Sequence, residues 1–159
     1  MTRGQLVGIY VAAVKDAALM GYRKVSVRAG KGIEGDRYFS TTGKNRSSYQ
    51  GQPDWEITLI EAEVIDAFNQ RTGNKFHHSE FRRNLITRNI RLNDLVGKVF
   101  QIGDISFYGV QLCEPCAKLQ KRLGVRILPD LVNQGGLRAQ IRSNGVLSVD
   151  QAIGVPEHA

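Results

Sequence analysis

The stretch KVFQIGDISFYGVQLCEPCAKLQKRLG, residues 98–124, decides the fold. Its first half reads as two β-strands, Lys98 to Ile102 and Ile105 to Leu112, folded into a hairpin across Gly103-Asp104. Its second half carries both cysteines of the chain, Cys113 and Cys116, and then a short helical run from Ala117 to Leu123 closed by Gly124. A hairpin that ends in cysteines and a short helix, with further strands elsewhere, belongs to a β-rich fold with helical connections. A thioredoxin-like motif needs its C-x-x-C beside a βαβ pattern, which the flanks here do not provide.

Cys116 is placed at or near a helix N-terminus, where unpaired N–H groups and the helix dipole stabilise a thiolate. A thiolate can attack an electrophile, exchange with a disulfide, carry sulfur or bind a soft metal. The stretch therefore reads as a site for sulfur chemistry or metal binding, with Cys116 first and Cys113 second. The plain alternative is packing, since free cysteine is among the most buried residue types. A structural zinc site is a poorer fit. It takes four N or S ligands, only His77, His78 and His158 remain to complete it, and they have no H-x₃₋₅-H spacing.

Outward from this stretch the chain reads mainly β. Residues 5–14 are a first strand containing Gly8, and Lys24 to Arg28 alternates as a second. Residues 29–39, AGKGIEGDRYF, hold Gly30, Gly32 and Gly35. They form either a loop that can approach a phosphate or cofactor, with Asp36 and Arg37 beside it, or a glycine-rich turn with a surface ion pair. Residues 40–54 are polar and rich in turn formers, a long mobile surface loop. Trp55 to Ile60 is a strand that runs into a helix from Glu61 to Thr72, with Val64, Ile65 and Phe68 on its apolar face and Gly73 as its left-handed stop. Glu61 and Glu63 are helix-starting charges, and His77 and His78 are surface or substrate-side residues.

Residues 81–90, FRRNLITRNI, place Arg82, Arg83 and Asn84 at a strand entrance. The planar fork of an arginine there can hold phosphate, or the pair can simply protect a solvated strand edge. Asn93 to Gly97 is a tight helical turn, and Pro129 to Gly136 is a loop. Leu137 to Arg142 and Val146 to Val149, joined by Asn144-Gly145, give the strongest hairpin signal. The end, with Pro156, frays after Val155. The count is seven or eight short strands and two short helices. It predicts a mainly β fold, a closed or nearly closed β-barrel with a few short helices, in a single domain.

Composition sets the class. The chain has 159 residues, 42% hydrophobic and 23% charged, ordinary for a globular domain able to bury roughly 70% of its unfolded surface. Two cysteines make no disulfide framework, and no apolar run of membrane-spanning length or secretory leader is present, so a reduced, cytoplasmic setting is expected. The net charge is +7 and the pI about 9.7, which points to an anionic partner. Charge alone also admits nucleic acid, but no zinc-finger, RNP-like or helix-turn-helix pattern supports it.

GKGIEGDRYF, ITLIEAE, FRRNLITRNIRLNDLVGKVFQIGD and CEPCAKL, in this order and spacing, resemble the MOSC domain, named for the C-terminal part of molybdenum cofactor sulfurase. The likeness is to its short, free-standing bacterial type and covers roughly residues 5–150. It implies a barrel-like fold and binding of the molybdenum–pterin cofactor, with a cysteine as molybdenum ligand or sulfur carrier. That residue is Cys116. In the related amidoxime-reducing proteins the cofactor-binding arginine lies in an F-R-x-N segment, which carries over to Arg82 of Phe81-Arg82-Arg83-Asn84. Arg83, Asn84, Asp36, Arg37 and Cys113 complete the expected cofactor contacts. Where those relatives carry Ser and Arg before the cysteine, this chain has Glu114 and Pro115.

The resemblance also implies a molybdenum-dependent reductase of N-hydroxylated compounds such as hydroxylaminopurines, served by an electron-donor protein. Its alternative is a sulfur carrier or cofactor-handling module holding a persulfide on Cys116, loaded by a separate desulfurase. The larger relatives' N-terminal barrel extension has no counterpart here, and no lysine is assignable to a pyridoxal-phosphate site.

Overall fold

A computed structural model describes residues 3–40, 55–127 and 130–156. Most of the polar stretch at 40–54, together with His158, lies outside the described residues. In chain order the described strands are β1 (Gly4–Val11), β2 (Met20–Gly21), β3 (Lys24–Arg28), β4 (Gly32–Ile33), β5 (Ile57–Glu61), β6 (Leu85–Arg88), β7 (Val99–Ile102), β8 (Ile105–Leu112), β9 (Leu137–Ile141), β10 (Gly145–Ser148) and β11 (Ala152–Gly154). The α-helices are α1 (Arg37–Ser40), α2 (Ala62–Thr72) and α3 (Ala117–Leu123), with 3₁₀ turns at His78–Phe81 and Leu92–Leu95.

Seven strands close a barrel in the order β1-β11-β7-β8-β9-β5-β6 and back to β1. Closure removes the free sheet edges that would otherwise invite pairing with another chain. All barrel pairings are antiparallel except β5 with β6. Parallel neighbours need a crossover, and α2 lies within it. A separate three-stranded sheet, β10-β3-β4, stands beside the barrel.

The interior is made by alternation. Leu6, Ile9 and Val11 of β1, Ile57 and Leu59 of β5, Phe107 of β8 and Leu137, Ala139 and Ile141 of β9 all enter one core. Leu6 and Ile9 are three apart, which a regular strand would send to opposite faces. The register of β1 on β6 slips between Leu6 and Gly8, and this bulge restores the inward face at Ile9. The outward residues Val7, Tyr10, Ile60 and Ile86 instead meet Ile65 and Phe68 of α2 and Leu119 of α3 in a second core.

The hairpin of residues 98–112 forms as the sequence predicts, with Ile102 opposite Ile105. Gly103 takes φ 57°, and a two-residue turn that needs positive φ only at its first central residue is the type II′ class. The second expected hairpin does not form. β9 pairs with β8 and β5, while β10 leaves the barrel and pairs with β3, Gly145 opposite Val27. Asn144 and Gly145 are both absent from the positive-φ residues, so the tight turn is not made. Asn144 Oδ1 accepts from the Ala29 amide at 2.8 Å, and a Cβ on Gly145 would stand 2.9 Å from Ile105. The pair thus serves a crossing between sheets.

Among the described residues the strand count is also corrected, from seven or eight to eleven, with three α-helices where two were expected. The tail segment Ala152–Gly154, expected only as a chain end, is the strand that closes the barrel between β1 and β7.

Candidate functional site

The site is built where three segments meet on the outside of the barrel. These are the turn after β4, the 3₁₀ turn before β6, and the link from β8 into α3.

After β4 the chain turns at Gly35, φ 87°, and sets Asp36 and Arg37 against the end of β1. The Arg37 amide donates to Ala12 O at 2.7 Å, and Asp36 Oδ1 accepts from the Ala12 amide at 3.2 Å. Asp36 and Arg37 form a 3.0 Å ion pair with side chains 0% and 9% exposed. The surface pair of the sequence reading is therefore a buried one, and the glycine-rich segment is the docking of this pair onto β1. Arg37 reaches further: Nη2 donates to Tyr38 Oη at 3.1 Å and to Arg82 O at 3.3 Å.

Arg82 ends the His78–Phe81 turn in the left-handed conformation, φ 64°. Non-glycine residues hold that geometry at a cost of about 1–3 kcal/mol, and such positions cluster at functional sites. Its Nη1 donates to Ala17 O at 2.7 Å, the one hydrogen bond of its side chain among the described residues. Burial first, then Arg122 and Arg37, hold its guanidinium below the usual arginine value. It remains a cation, beside two further guanidinium groups that are each paired with a carboxylate, Arg37 with Asp36 and Arg122 with Asp16. Arg83 is anchored differently, through Nε to Gly135 O at 2.9 Å and Nη1 to Phe81 O at 3.4 Å.

Asn84 is completely buried. Its Oδ1 accepts from the Thr58 amide and hydroxyl, and its Nδ2 donates to Tyr10 O at 3.1 Å. The structure makes it a pin between β1, β5 and β6 that fixes where Arg82 and Arg83 begin.

The cysteine segment divides. Cys113 is buried, and its amide donates to Gly136 O at 2.7 Å. Gly135 packs directly on it: a Cβ there would lie 2.0 Å from Cys113 O. Cys116 is exposed and caps α3, its Sγ accepting from the Leu119 amide at 3.4 Å. Glu114, one of the two departures from the relatives' pattern, accepts from the Asn133 amide and braces the turn before β9. From α3, Lys118 and Arg122 reach Asp16 at 3.0 and 2.9 Å. The Lys118 hydrogen bond first, with help from Arg122, holds the Asp16 carboxyl below its usual value against its own desolvation. The loop that carries Asp16 also carries Ala17, the partner of Arg82, and so ties the Cys116 helix to the arginine cluster.

Arg37, Arg82, Arg83 and Cys113 thus come together, with Asp36 and Asn84 beneath them as frame. Cys116 stands at the rim on α3. The sequence reading missed Tyr38. Burial pushes its phenol up and Arg37 and Arg83 offset only part of this, while Cys113 and Asp36 push the same way. Tyr38 accepts from Arg37 and lies under its guanidinium, with Arg83 and Cys113 near enough for their charges to bias its phenol. Trp55 packs on it edge-on at 4.6 Å, and the guanidinium of Arg138 lies 5.0 Å from the Trp55 ring centre. Tyr38 follows the Asp-Arg pair directly and could have been taken with it. Arg138 had no such signal beyond its outward place in a period-two strand.

His77 and His78 stay off the cluster. His77 caps the 3₁₀ turn, and His78 pairs with Asp66 at 2.8 Å. Among the described residues no three His, Cys, Asp or Glu side chains are grouped to hold a metal ion. A metal brought in by its own dithiolene and completed by one soft thiolate is the kind this donor set fits.

Residues 46–154 match the MOSC domain. No curated protein matches the chain. Among solved structures the chain is similar to the YuaD protein of Bacillus subtilis, at TM-score 0.76 and 15% identity over 96% of this chain and 94% of that one. It is similar to YiiM of Geobacillus stearothermophilus at TM-score 0.72 and 20% identity, covering 97% and 75%. YiiM of Escherichia coli follows at TM-score 0.70 and 18% identity, covering 100% and 72%. At these identities the solved structures show the fold, and the domain match shows the family: the chain belongs to the MOSC domain family, which is associated with molybdenum cofactor binding.

Proposed function

We propose that the chain binds the molybdenum–pterin cofactor through Cys116 and reduces N-hydroxylated compounds, with electrons from a separate donor protein. The observation that carries this reading is one exposed thiol at the head of a helix tied to a knot of guanidinium groups. When bound, the cofactor supplies a metal centre able to take an oxygen atom from an N–OH group in a two-electron reduction.

The chain's own residues would hold and orient. Cys116 Sγ offers the soft ligand, and its N-cap bond to Leu119 fixes its direction at the rim. Arg82, with one bond among the described residues, has donors left for a phosphate oxygen, and Arg83 has its Nη2. Arg37 does not lead here, because Asp36, Tyr38 and Arg82 O already occupy it. Its part is to keep the Arg82 backbone in its left-handed turn.

Metal and pterin content tests the reading, on protein made in a host that synthesises the cofactor. Stoichiometric molybdenum and pterin in the wild type, with molybdenum lost in Cys116→Ala, is the expected result. Full N-hydroxy reductase activity in Cys116→Ala would overturn it. The exposure of Cys116 also favours a second reading, a persulfide carrier without turnover. That reading predicts a 32-dalton mass increase on Cys116 after exposure to a cysteine desulfurase (one sulfur atom), and no reductase activity.

A further inference from the structure

Arg37, Tyr38, Trp55 and Arg138 form a continuous column along the outside of the barrel. The Arg37 guanidinium carbon lies 4.3 Å from the Tyr38 ring centre, Tyr38 meets Trp55 at 4.6 Å, and Arg138 meets Trp55 at 5.0 Å. One end of the column is neutralised, since Arg37 is paired with the buried Asp36. The other end is not. Arg138 makes no ion pair or hydrogen bond from its side chain among the described residues, and its Nε is covered and without a partner. A partly buried guanidinium in that condition costs free energy that an acceptor would recover.

The position is fixed by the fold. Arg138 points outward from β9, opposite Thr58 of β5 and Gln111 of β8. Two residues before it, Gly136 O accepts from the Cys113 amide, and Gly135 O accepts from Arg83. The same stretch of backbone therefore holds Arg138, the cysteine segment and Arg83 on one outer face. The stack on Trp55 holds the guanidinium in place while its donors stay unspent.

We infer that Arg138, backed by Trp55, is a second oxyanion subsite, distinct from Arg82, which binds a phosphate or carboxylate group of the ligand that reaches Cys116. It rests on the reading of Cys116 as the ligand-facing thiol, but its test does not. Trp55 is the only tryptophan in the chain, so intrinsic fluorescence reports this subsite without cofactor or turnover.

The probe is inorganic phosphate, titrated at constant ionic strength into wild type, Arg138→Met, Arg138→Lys and Arg82→Met. The expected result is a saturable change in Trp55 emission in the wild type. It should be at least tenfold weaker in Arg138→Met, partly restored in Arg138→Lys, and kept in Arg82→Met. No saturable change in the wild type overturns the inference. So does a response that survives in Arg138→Met and is lost in Arg82→Met, which places the anion in the neighbouring cluster. Matching far-UV circular dichroism and unfolding midpoints show that the variants are folded. Pterin content then identifies the source of the oxyanion. If Arg138→Met loses pterin, the group is the cofactor's, and if it keeps pterin, the group is the substrate's. A wild type that binds phosphate at Trp55 but never loads molybdenum would leave this subsite standing and remove the proposed reductase.

Discussion

The barrel has two kinds of outer face, and they carry different chemistry from the same alternating strands. Across β1, β5 and β6 the outward residues Val7, Tyr10, Ile60 and Ile86 are apolar, and α2 and α3 cover them. Across β8 and β9 the outward residues include Tyr108, Gln111, Gln140 and Arg138, half-buried, with Arg142 exposed over the Tyr108 ring at the edge. The candidate site lies at the border, where α3 ends its cover and the arginines begin. A barrel whose inside is saturated with Leu, Ile and Phe gains nothing more from apolar residues outside unless a helix is there to meet them. Where none is, outward positions are open to charge, and this chain places guanidinium groups there.

The largest expected effects come from the two cores, and they decide whether the covered face is core in the energetic sense. Phe107 stacks on Phe100 inside the barrel at 5.4 Å, and Phe68 packs edge-on against Phe81 under α2 at 6.1 Å. All four rings are fully buried. Phe107→Ala and Phe68→Ala should each cost about 3–5 kcal/mol in denaturant unfolding, because each leaves a ring-sized cavity. If Phe68→Ala costs under about 1 kcal/mol, α2 is a cover and not a core element, and the comparison of faces fails.

Next comes the pin between the faces. Asn84→Ala strips acceptors from the Thr58 amide and hydroxyl and a donor from Tyr10 O, all buried by the strands. A loss of about 2–4 kcal/mol is expected from the unsatisfied groups and the small void. Because Asn84 precedes β6 directly, pterin loading should fall with it. Asn84→Asp keeps the acceptor but brings in a buried charge, so it should not rescue stability at pH 7. Rescue by Asp there would mean that the site is wetter than the structure makes it.

At the rim the expectation inverts. Cys116 caps a seven-residue helix with a sulfur at 3.4 Å from the Leu119 amide. Serine is a better N-cap than most residues, so Cys116→Ser should leave stability within about 1 kcal/mol of the wild type or raise it. The same change should remove molybdenum. A face that can be changed without loss of fold and with total loss of loading is a functional face. If Cys116→Ser unfolds the protein, the thiol is packing and the proposed role is gone.

The sequence made these faces legible unequally. Period two in KVSVR and the Gly103-Asp104 turn found β3, β7 and β8, and Gly73 and Gly124 stop α2 and α3 at φ 74° and 73° as their places suggested. These features are local, and local rules suffice for them. What failed needed distant partners. Asn144-Gly145 looked like a hairpin because nothing local shows that Ala29 will claim the Asn144 side chain. β11 is three residues long, and only β1 and β7 on either side make it a strand. At the candidate site, Arg82 and Arg83, which do stand just before β6, were read from their position before a strand. Arg138 was not, since its role comes from Trp55, eighty-odd residues away in the chain. Asp36 and Arg37 were read either as part of a cofactor-facing loop or as a surface pair, and neither reading shows their burial against Ala12, which is a tertiary fact.

The smallest effect separates two forces on the covered face. Glu61 stands just before α2, where a negative charge favours the helix dipole. It also accepts from the Leu92 amide at 3.2 Å. Burial nevertheless pushes its carboxyl up, outweighing that bond, with Glu63 adding repulsion and Arg91 opposing it. A carboxyl raised in the fold contributes stability that is fully present below its unfolded value and is lost as pH rises through the folded value. At pH 7 the charged Glu61 is therefore a net penalty. Glu61→Gln keeps an acceptor for Leu92 and removes the charge, so it should be more stable than the wild type at pH 7, by under about 1 kcal/mol for a half-buried group that solvent still screens. The gain should vanish at pH 3.5, where the wild-type carboxyl is protonated in both states. Urea unfolding of the two proteins at the two pH values measures it. A wild type more stable than Glu61→Gln at pH 7 would mean that the dipole wins over burial, and that the edge of the covered face is wetter than its packing implies.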